Sequence, residues 1–443
     1  MRDTVRAQLW PLPTLGVVLA VAAGVGLPRL DARIERDIPP WLTDYLFGGS
    51  ADAARTVLEA IAGSLISVTA LTFSLTVVTL QLASSQFSPR LLRTFTADRY
   101  VQTTLALFLA TFTYALTVLR TVRTGEDEQV MFVPQVSVTV AFVLTLASVL
   151  GLVLFLSHLA REIRVETMLR SVHSAAERTI HRLLLERESA ARDSNAPPEP
   201  PADALLLPVG TSGFLTAVDG EALLEAAVEA DAVLLIDRHP GSSLIAGTPM
   251  GAAWPRTGKP FCPETRTRLV RKAAEAVITG AERTDAQDVA FGLRQLTDVI
   301  AKALSPGIND PTTAVHALSH SSALLCELAH RDLGTRLLRD DQHQVRVVLQ
   351  RPDLEILLDL AVTQPLRYGA AEPAVLTRIL MLLRELAWSS APDQHPPVVA
   401  ALARLRSTIT GQDFHAAEQA RLTELAQQVE QALAGRWTHE GAH

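Results

Sequence analysis

Hydrophobic positions cluster into four long uncharged runs near the start of the chain and thin out into short or amphipathic segments after them. Ala7–Pro28, Ala60–Pro89, Tyr100–Leu119 and Gln129–Ala160 contain no Asp, Glu, Lys or Arg. About 20 apolar residues suffice to cross the hydrocarbon core of a bilayer, so each run predicts a spanning helix. The second run is unusual because it is crowded with hydroxyls. Thr69, Thr72, Thr76 and Thr79 follow a 3-4-3 spacing, which at about 100° per residue keeps them on one helix face. Ser67, Ser74, Gln81 and Ser85 form a second stripe roughly opposite. Lipid is better met by Leu and Val, so two polar stripes predict contact with other helices or with water.

Orientation follows from basic residues in the short loops. Arg90, Arg93 and Arg99 separate the second and third runs, and Arg161, Arg164 and Arg170 follow the fourth. Glu126, Asp127 and Glu128 lie between the third and fourth, and a mixed loop with Asp31, Glu35, Asp37 and Asp44 precedes the second. A multi-pass membrane protein with both termini cytoplasmic is therefore expected. Arg2 and Arg6 ahead of the first run also fit a cleaved signal peptide, which would leave the C-terminal region in the same compartment.

Beyond the membrane domain of residues 1–160, apolar Val165, Leu169, Val172, Ala176, Ile180 and Leu183 keep a helical stripe, and no Pro or Gly interrupts Leu152–Asn195. One long helix is expected there, with residues 161–195 as its amphipathic extension. The Pro-rich run at 196–202 then forms a stiff linker. Residues 203–260 read as a small α/β or half-barrel domain, with strands in LLLPV, FLTAV, AVLLID and SLIAG around a helix near Glu221–Glu229. Residues 261–443 read as a helical cytoplasmic domain. The fold class is thus a membrane α-helical domain of four transmembrane helices, a cytoplasmic α+β domain and a helical C-terminal region.

Composition narrows the functional classes. A net charge of -7 over 443 residues offers no basic surface for nucleic acid. The two cysteines, Cys262 and Cys326, both fall in the expected cytoplasmic part and imply no disulfide framework. No phosphate-binding glycine loop, nucleophile elbow or paired-cysteine metal motif occurs. His316 and His320 lie one helical turn apart, with Cys326 and His330 further on, but no Glu sits between the first two as a zinc-hydrolase helix requires. The chain is therefore read as having no catalytic residues, no metal site and no cofactor. Ser305, Pro306 and Gly307 stop one helix, while Asp310 and Pro311 start the next as N-cap and first helical residue. Asn309 and Asp310 at that helix start are the candidates for a cation or a partner loop.

The strings FSLTVVTLQLASSQFSPRLLRTF, RTDAQDVAFGLRQL and ALSPGINDPTTA, supported by RHPGSSLIAGTP, make the chain resemble bacterial predicted membrane proteins grouped as domain of unknown function two-two-five-four. The resemblance extends over nearly the whole chain and implies a multi-pass topology and a bacterial inner-membrane location but no established activity. Residues must carry the functional reading, and they predict an oligomeric channel or channel-like protein. Its polar path, lined by Thr69, Thr72, Thr76, Thr79, Ser67, Ser74 and Gln81, would pass an inorganic ion between copies of the second helix. Glu59 would stand at one mouth, with Ser88, Pro89 and Arg90 at the other as mouth or gate. The competing expectation is a membrane-anchored sensor or scaffold whose cytoplasmic domain binds a ligand or protein.

Overall fold

The computed structural model describes residues 10–34, 46–86, 98–123, 132–162, 164–187 and 197–437. They form two compact units, residues 1–167 and 168–443. Four helices in the first unit are long and apolar enough to cross a membrane: α1 (Pro11–Ile34), α2 (Ala51–Gln86), α3 (Arg99–Leu119) and α4 (Gln135–Glu162). Helix α3 is the most enclosed of them and packs against each of the other three. Leu58, Phe108, Tyr114, Val118 and Val138 are fully or almost fully buried between them. Large apolar side chains such as Leu15, Leu19, Phe142 and Leu150 instead point outward, as lipid contact demands. At Gly24, a Cβ would lie 2.7 Å from that of Thr117, so the missing side chain is what lets α1 approach α3 this closely.

Two carboxylates fasten the bundle. Asp31, buried near the end of α1, accepts from the Ser137 hydroxyl at 2.7 Å and from the backbone N–H groups of Ser137 and Val136 at 2.9 and 3.2 Å. It thereby caps the start of α4 from another helix, where the N–H groups otherwise lack partners. Asp98 caps α3 through the Tyr100 N–H and meets His158 of α4 at 2.6 Å. The Asp31→Ala variant is expected to lose about 2 kcal/mol, the upper end of a capping effect, read as a lower unfolding midpoint in detergent.

The continuous helix expected over Leu152–Asn195 is divided. Helix α4 ends at Glu162, and α5 (Val165–Leu183) starts afresh after Arg164. The apolar stripe is preserved within α5, with Leu169, Val172, Ala176 and Ile180 buried.

The second unit holds two sheets and a helical layer. Its strands and first helices are β1 (Leu205–Pro208), β2 (Gly213–Val218), α6 (Gly220–Glu229), β3 (Ala232–Ile236), β4 (Ser243–Leu244), β5 (Pro249–Pro255), α7 (Pro263–Ala276) and β6 (Val277–Gly280). Helices α8 (Phe291–Ala303) and α9 (Pro311–Ala329) follow, then β7 (Arg336–Arg339), β8 (Val345–Leu349) and the helices α10 (Leu354–Tyr368), α11 (Pro373–Ser389), α12 (His395–Thr410) and α13 (Ala416–Leu433). The larger sheet runs β1-β5-β3-β8-β7, with β3 and β8 parallel and every other neighbour antiparallel. The smaller, β4-β2-β6, is antiparallel throughout. Leu207, Leu215, Leu223, Leu234, Ile236 and Val347 form one buried core beneath α6 and α7.

The boundary expected at residue 260 therefore does not hold as a domain division. Strands β7 and β8 leave the helical region and complete the sheet begun by β1, β5 and β3. Their sequences, RLLR and VRVVL, are short runs broken by arginines, which dilutes the apolar alternation that marks a strand.

Candidate functional site

Helix α2 carries the predicted site, and its four threonines turn inward. Thr69, Thr72, Thr76 and Thr79 are all buried inside their own bundle. The hydroxyls of Thr69, Thr76 and Thr79 donate to the carbonyls of Leu65, Thr72 and Leu75 at 2.6, 2.8 and 2.9 Å. The Thr72 hydroxyl is buried without a hydrogen-bond partner among the described residues. Bonds to the preceding turn satisfy a hydroxyl within one helix, so this stripe is packed interior and does not face a path between copies. Thr104, Thr111 and Ser148 are buried as well, the last two 3.2 Å apart across α3 and α4.

The opposite stripe faces out. Ser67, Ser74 and Gln81 are exposed, as are Glu59, Gly63, Ala70 and Val77. Projected at about 100° per residue, these seven fall within an arc of roughly 80°. Ser67 donates to the Gly63 carbonyl at 3.2 Å. Among the described residues, the side chains of Ser74 and Gln81 have no hydrogen-bond partner. Along the helix, Glu59 to Gln81 covers about 33 Å at 1.5 Å per residue, close to the ~30 Å hydrocarbon thickness. A line of small and polar groups, interrupted by Val77, thus crosses the whole apolar layer on the outside of the protomer. One edge of this arc borders a groove of about 570 Å³ whose lining includes Trp10, Ile66, Thr69, Ala70, Phe73 and Leu105. Sequence reasoning found both polar stripes but missed Gly63 and Ala70, whose signal is their seven-residue offset interleaved with Ser67 and Ser74.

Glu59 lies on the outward arc, as a mouth residue requires. Ser88, Pro89 and Arg90 lie outside the described residues.

The ALSPGINDP segment is a helix-to-helix turn. Ser305 Oγ donates to the Lys302 carbonyl at 2.6 Å, Asn309 has a φ of 50°, and the Asp310 N–H reaches the Ala303 carbonyl at 2.8 Å. Asp310 accepts from the Thr313 N–H and hydroxyl at 3.0 and 2.5 Å, and these bonds hold its carboxyl below the usual range. Pro311 is the first residue of α9, while Pro306 and Gly307 are exposed in the turn. Capping thus accounts for the motif, and its carboxylate is already engaged.

The RHPG and RTDAQD strings meet. Arg283 Nε and Nη2 both donate to Asp288 Oδ2, at 2.9 and 2.6 Å, and Asp288 Oδ1 accepts from the Ala290 N–H at 3.0 Å. Gly241 sits over this pair with a φ of 92°, where a Cβ would lie 2.4 Å from Asp288 Oδ2. Only glycine meets both the close approach and the left-handed backbone. Burial pushes the Asp288 carboxyl up, and the Arg283 guanidinium pulls it part of the way back.

His316 is exposed, while His320 pairs with His173, their ring centroids 5.1 Å apart. Burial, then His173, lowers the His320 imidazole. Among the described residues, no group of three or more His, Cys, Asp or Glu side chains is placed to hold a metal ion.

A family model described as predicted membrane protein (DUF2254) matches residues 6–385. Two uncharacterized proteins, one from Mycobacterium bovis and one from Mycobacterium tuberculosis, are each 36% identical over 385 residues, covering 87% of this chain and 73% of the relative. No solved structure matches the chain.

Proposed function

The chain belongs to the DUF2254 family of predicted membrane proteins, and on that footing we propose that its copies associate in the bilayer through the outward face of α2 to form a channel-like oligomer. The observation that supports this reading is the exposed line of Ser67, Ser74 and Gln81 along the outward face of α2. Polar side chains facing hydrocarbon without partners cost free energy, and a second helix or a file of water removes that cost. Gly63 and Ala70 on the same arc let helices approach closely. Glu59 supplies charge at one mouth, and the hydroxyls and amide between the mouths would replace part of the hydration of an inorganic ion. The arginines after α4, Arg161, Arg164 and Arg170, support a cytoplasmic location for the C-terminal unit, where it would regulate the pathway from the inner side of a bacterial inner membrane.

Cysteine cross-linking in native membranes tests the association. With Cys262 and Cys326 replaced by Ser, Ser67→Cys and Ser74→Cys variants are expected to form disulfide-linked dimers on oxidation, and Thr72→Cys and Thr76→Cys are not. Dimers from the threonine positions alone would reverse the assignment of faces, and none from any position would remove the oligomer.

A further inference from the structure

Three arginines far apart in the chain converge on one cavity of the C-terminal unit. Arg238 follows β3, Arg336 begins the edge strand β7, and Arg351 follows β8. Strands β3 and β8 are the parallel pair of the larger sheet, so two of these arginines leave from the same strand ends. Carboxyl ends of parallel strands are where ligands of α/β folds gather. Gly220, the first residue of the ten-residue helix α6, lines the same cavity, and the Asp219 carboxylate beside it already caps that helix by accepting from the Ala222 N–H at 3.1 Å, so the arginines must supply the cavity's positive charge. Gln287, in the string anchored by the Arg283–Asp288 pair, forms part of the wall and bonds both backbone groups of Val218.

The charges of this cavity are not balanced from within. Its lining contains three arginines and no carboxylate. Among the described residues, Arg336 and Arg351 form no ion pair and no side-chain hydrogen bond. Arg238 has a 3.3 Å contact with its neighbour Asp237, with both side chains about half exposed. Burial, and then the charge of Arg336, push the Arg351 guanidinium down to about 10, with Asp332 opposing. Two cations that disfavour one another at a cavity wall are electrostatic work that a bound anion would reverse.

We propose that this cavity binds a phosphate group, held by the guanidinium forks of Arg336 and Arg351 and by the Arg238 charge. Its volume of about 100 Å³ exceeds the ~10–15 Å³ needed by one water and falls short of the ~300–1,000 Å³ of sites that engulf a drug-sized ligand. The group recognised is therefore the phosphate itself, from a soluble phosphate compound or from a lipid headgroup. Arg is suited to it because its planar fork matches two phosphate oxygens at once. Leu183, the last residue of α5, forms part of the wall, so occupancy is felt by the helix that follows the membrane-spanning segments in the chain.

The test uses the full chain in phosphatidylcholine nanodiscs and equilibrium dialysis of radiolabelled inorganic phosphate. Saturable binding is expected, weakened roughly tenfold or more by Arg336→Gln and unchanged by Arg421→Gln, an exposed arginine elsewhere. Arg336 is exposed on an edge strand, so its replacement should leave the unliganded unfolding midpoint unchanged or higher. In a second arm, nanodiscs containing phosphatidic acid replace added phosphate, and the unfolding midpoint is read. A rise there, absent in Arg336→Gln and without binding in the first arm, identifies a lipid headgroup as the source. Absence of both effects, or effects that Arg336→Gln leaves intact, overturns the site. Neither arm depends on α2, so the outcome is separate from that of the proposed oligomer.

Discussion

Removing the Arg283 side chain is expected to cost the C-terminal unit about 3–5 kcal/mol at neutral pH, the range found when one member of a buried ion pair is deleted. The Asp288 side chain is 1% exposed and that of Arg283 17%, so little water can replace the lost guanidinium. The pH dependence distinguishes this cause from simple loss of packing. Burial already raises the Asp288 carboxyl in the folded chain, and deleting Arg283 removes the leading influence that lowers it. The folded carboxyl then holds its proton where the unfolded one, with an ordinary value near 3.9, has released it. Between those two values the folded state binds more protons than the unfolded, and stability falls as pH rises. Arg283→Ala should therefore be most destabilising at pH 8 and recover toward acid, while Asp288→Asn in the Arg283→Ala background should flatten that dependence. Unfolding midpoints at pH 5 and pH 8 decide it, and equal losses at both would show that the carboxylate charge is not what the arginine stabilises.

That pair also shows what a linear reading leaves hidden. RTDAQD and RHPG are visible as unusual strings, but their meeting depends on Gly241 approaching within a distance no Cβ permits, and nothing local encodes it. The four spans were legible because membrane insertion depends on run length and absence of charge, both local quantities. The turn at Asp310 and Pro311 was legible for the same reason, since capping is settled within four residues. Strands β7 and β8 were not, because their apolar positions are interrupted by Arg336, Arg339 and Arg346 and their stability comes from pairing with β3. The break between α4 and α5 was equally hidden: Arg164 is a good helix former, and no Pro or Gly marks the end. Arg238, Arg336 and Arg351 are single charges in three separate contexts until the sheet orders them around one cavity.

Helix α2 is the instructive case, because its two polar stripes look equivalent in sequence and differ only in which one the bundle covers. The buried stripe is made of β-branched threonines, whose methyl groups fill the interior while three of the four hydroxyls bond to the preceding turn. The outward stripe has Ser, Gly and Ala, which leave little bulk between one helix and whatever lies against it. If ions pass along the outward face, Ser74→Leu should reduce flux through reconstituted liposomes more than about tenfold, because an apolar ring in a narrow path favours its dewetting. Thr76→Val, which keeps the shape and removes a hydroxyl already bonded within α2, should change flux less than about twofold by the same reasoning. The reverse ranking would move the path to the buried threonine face of α2, where the Thr72 hydroxyl has no hydrogen-bond partner among the described residues. Equal flux from both variants and the parent would mean that neither stripe of α2 faces permeating ions, and the polar arc would then be a surface for helix association alone.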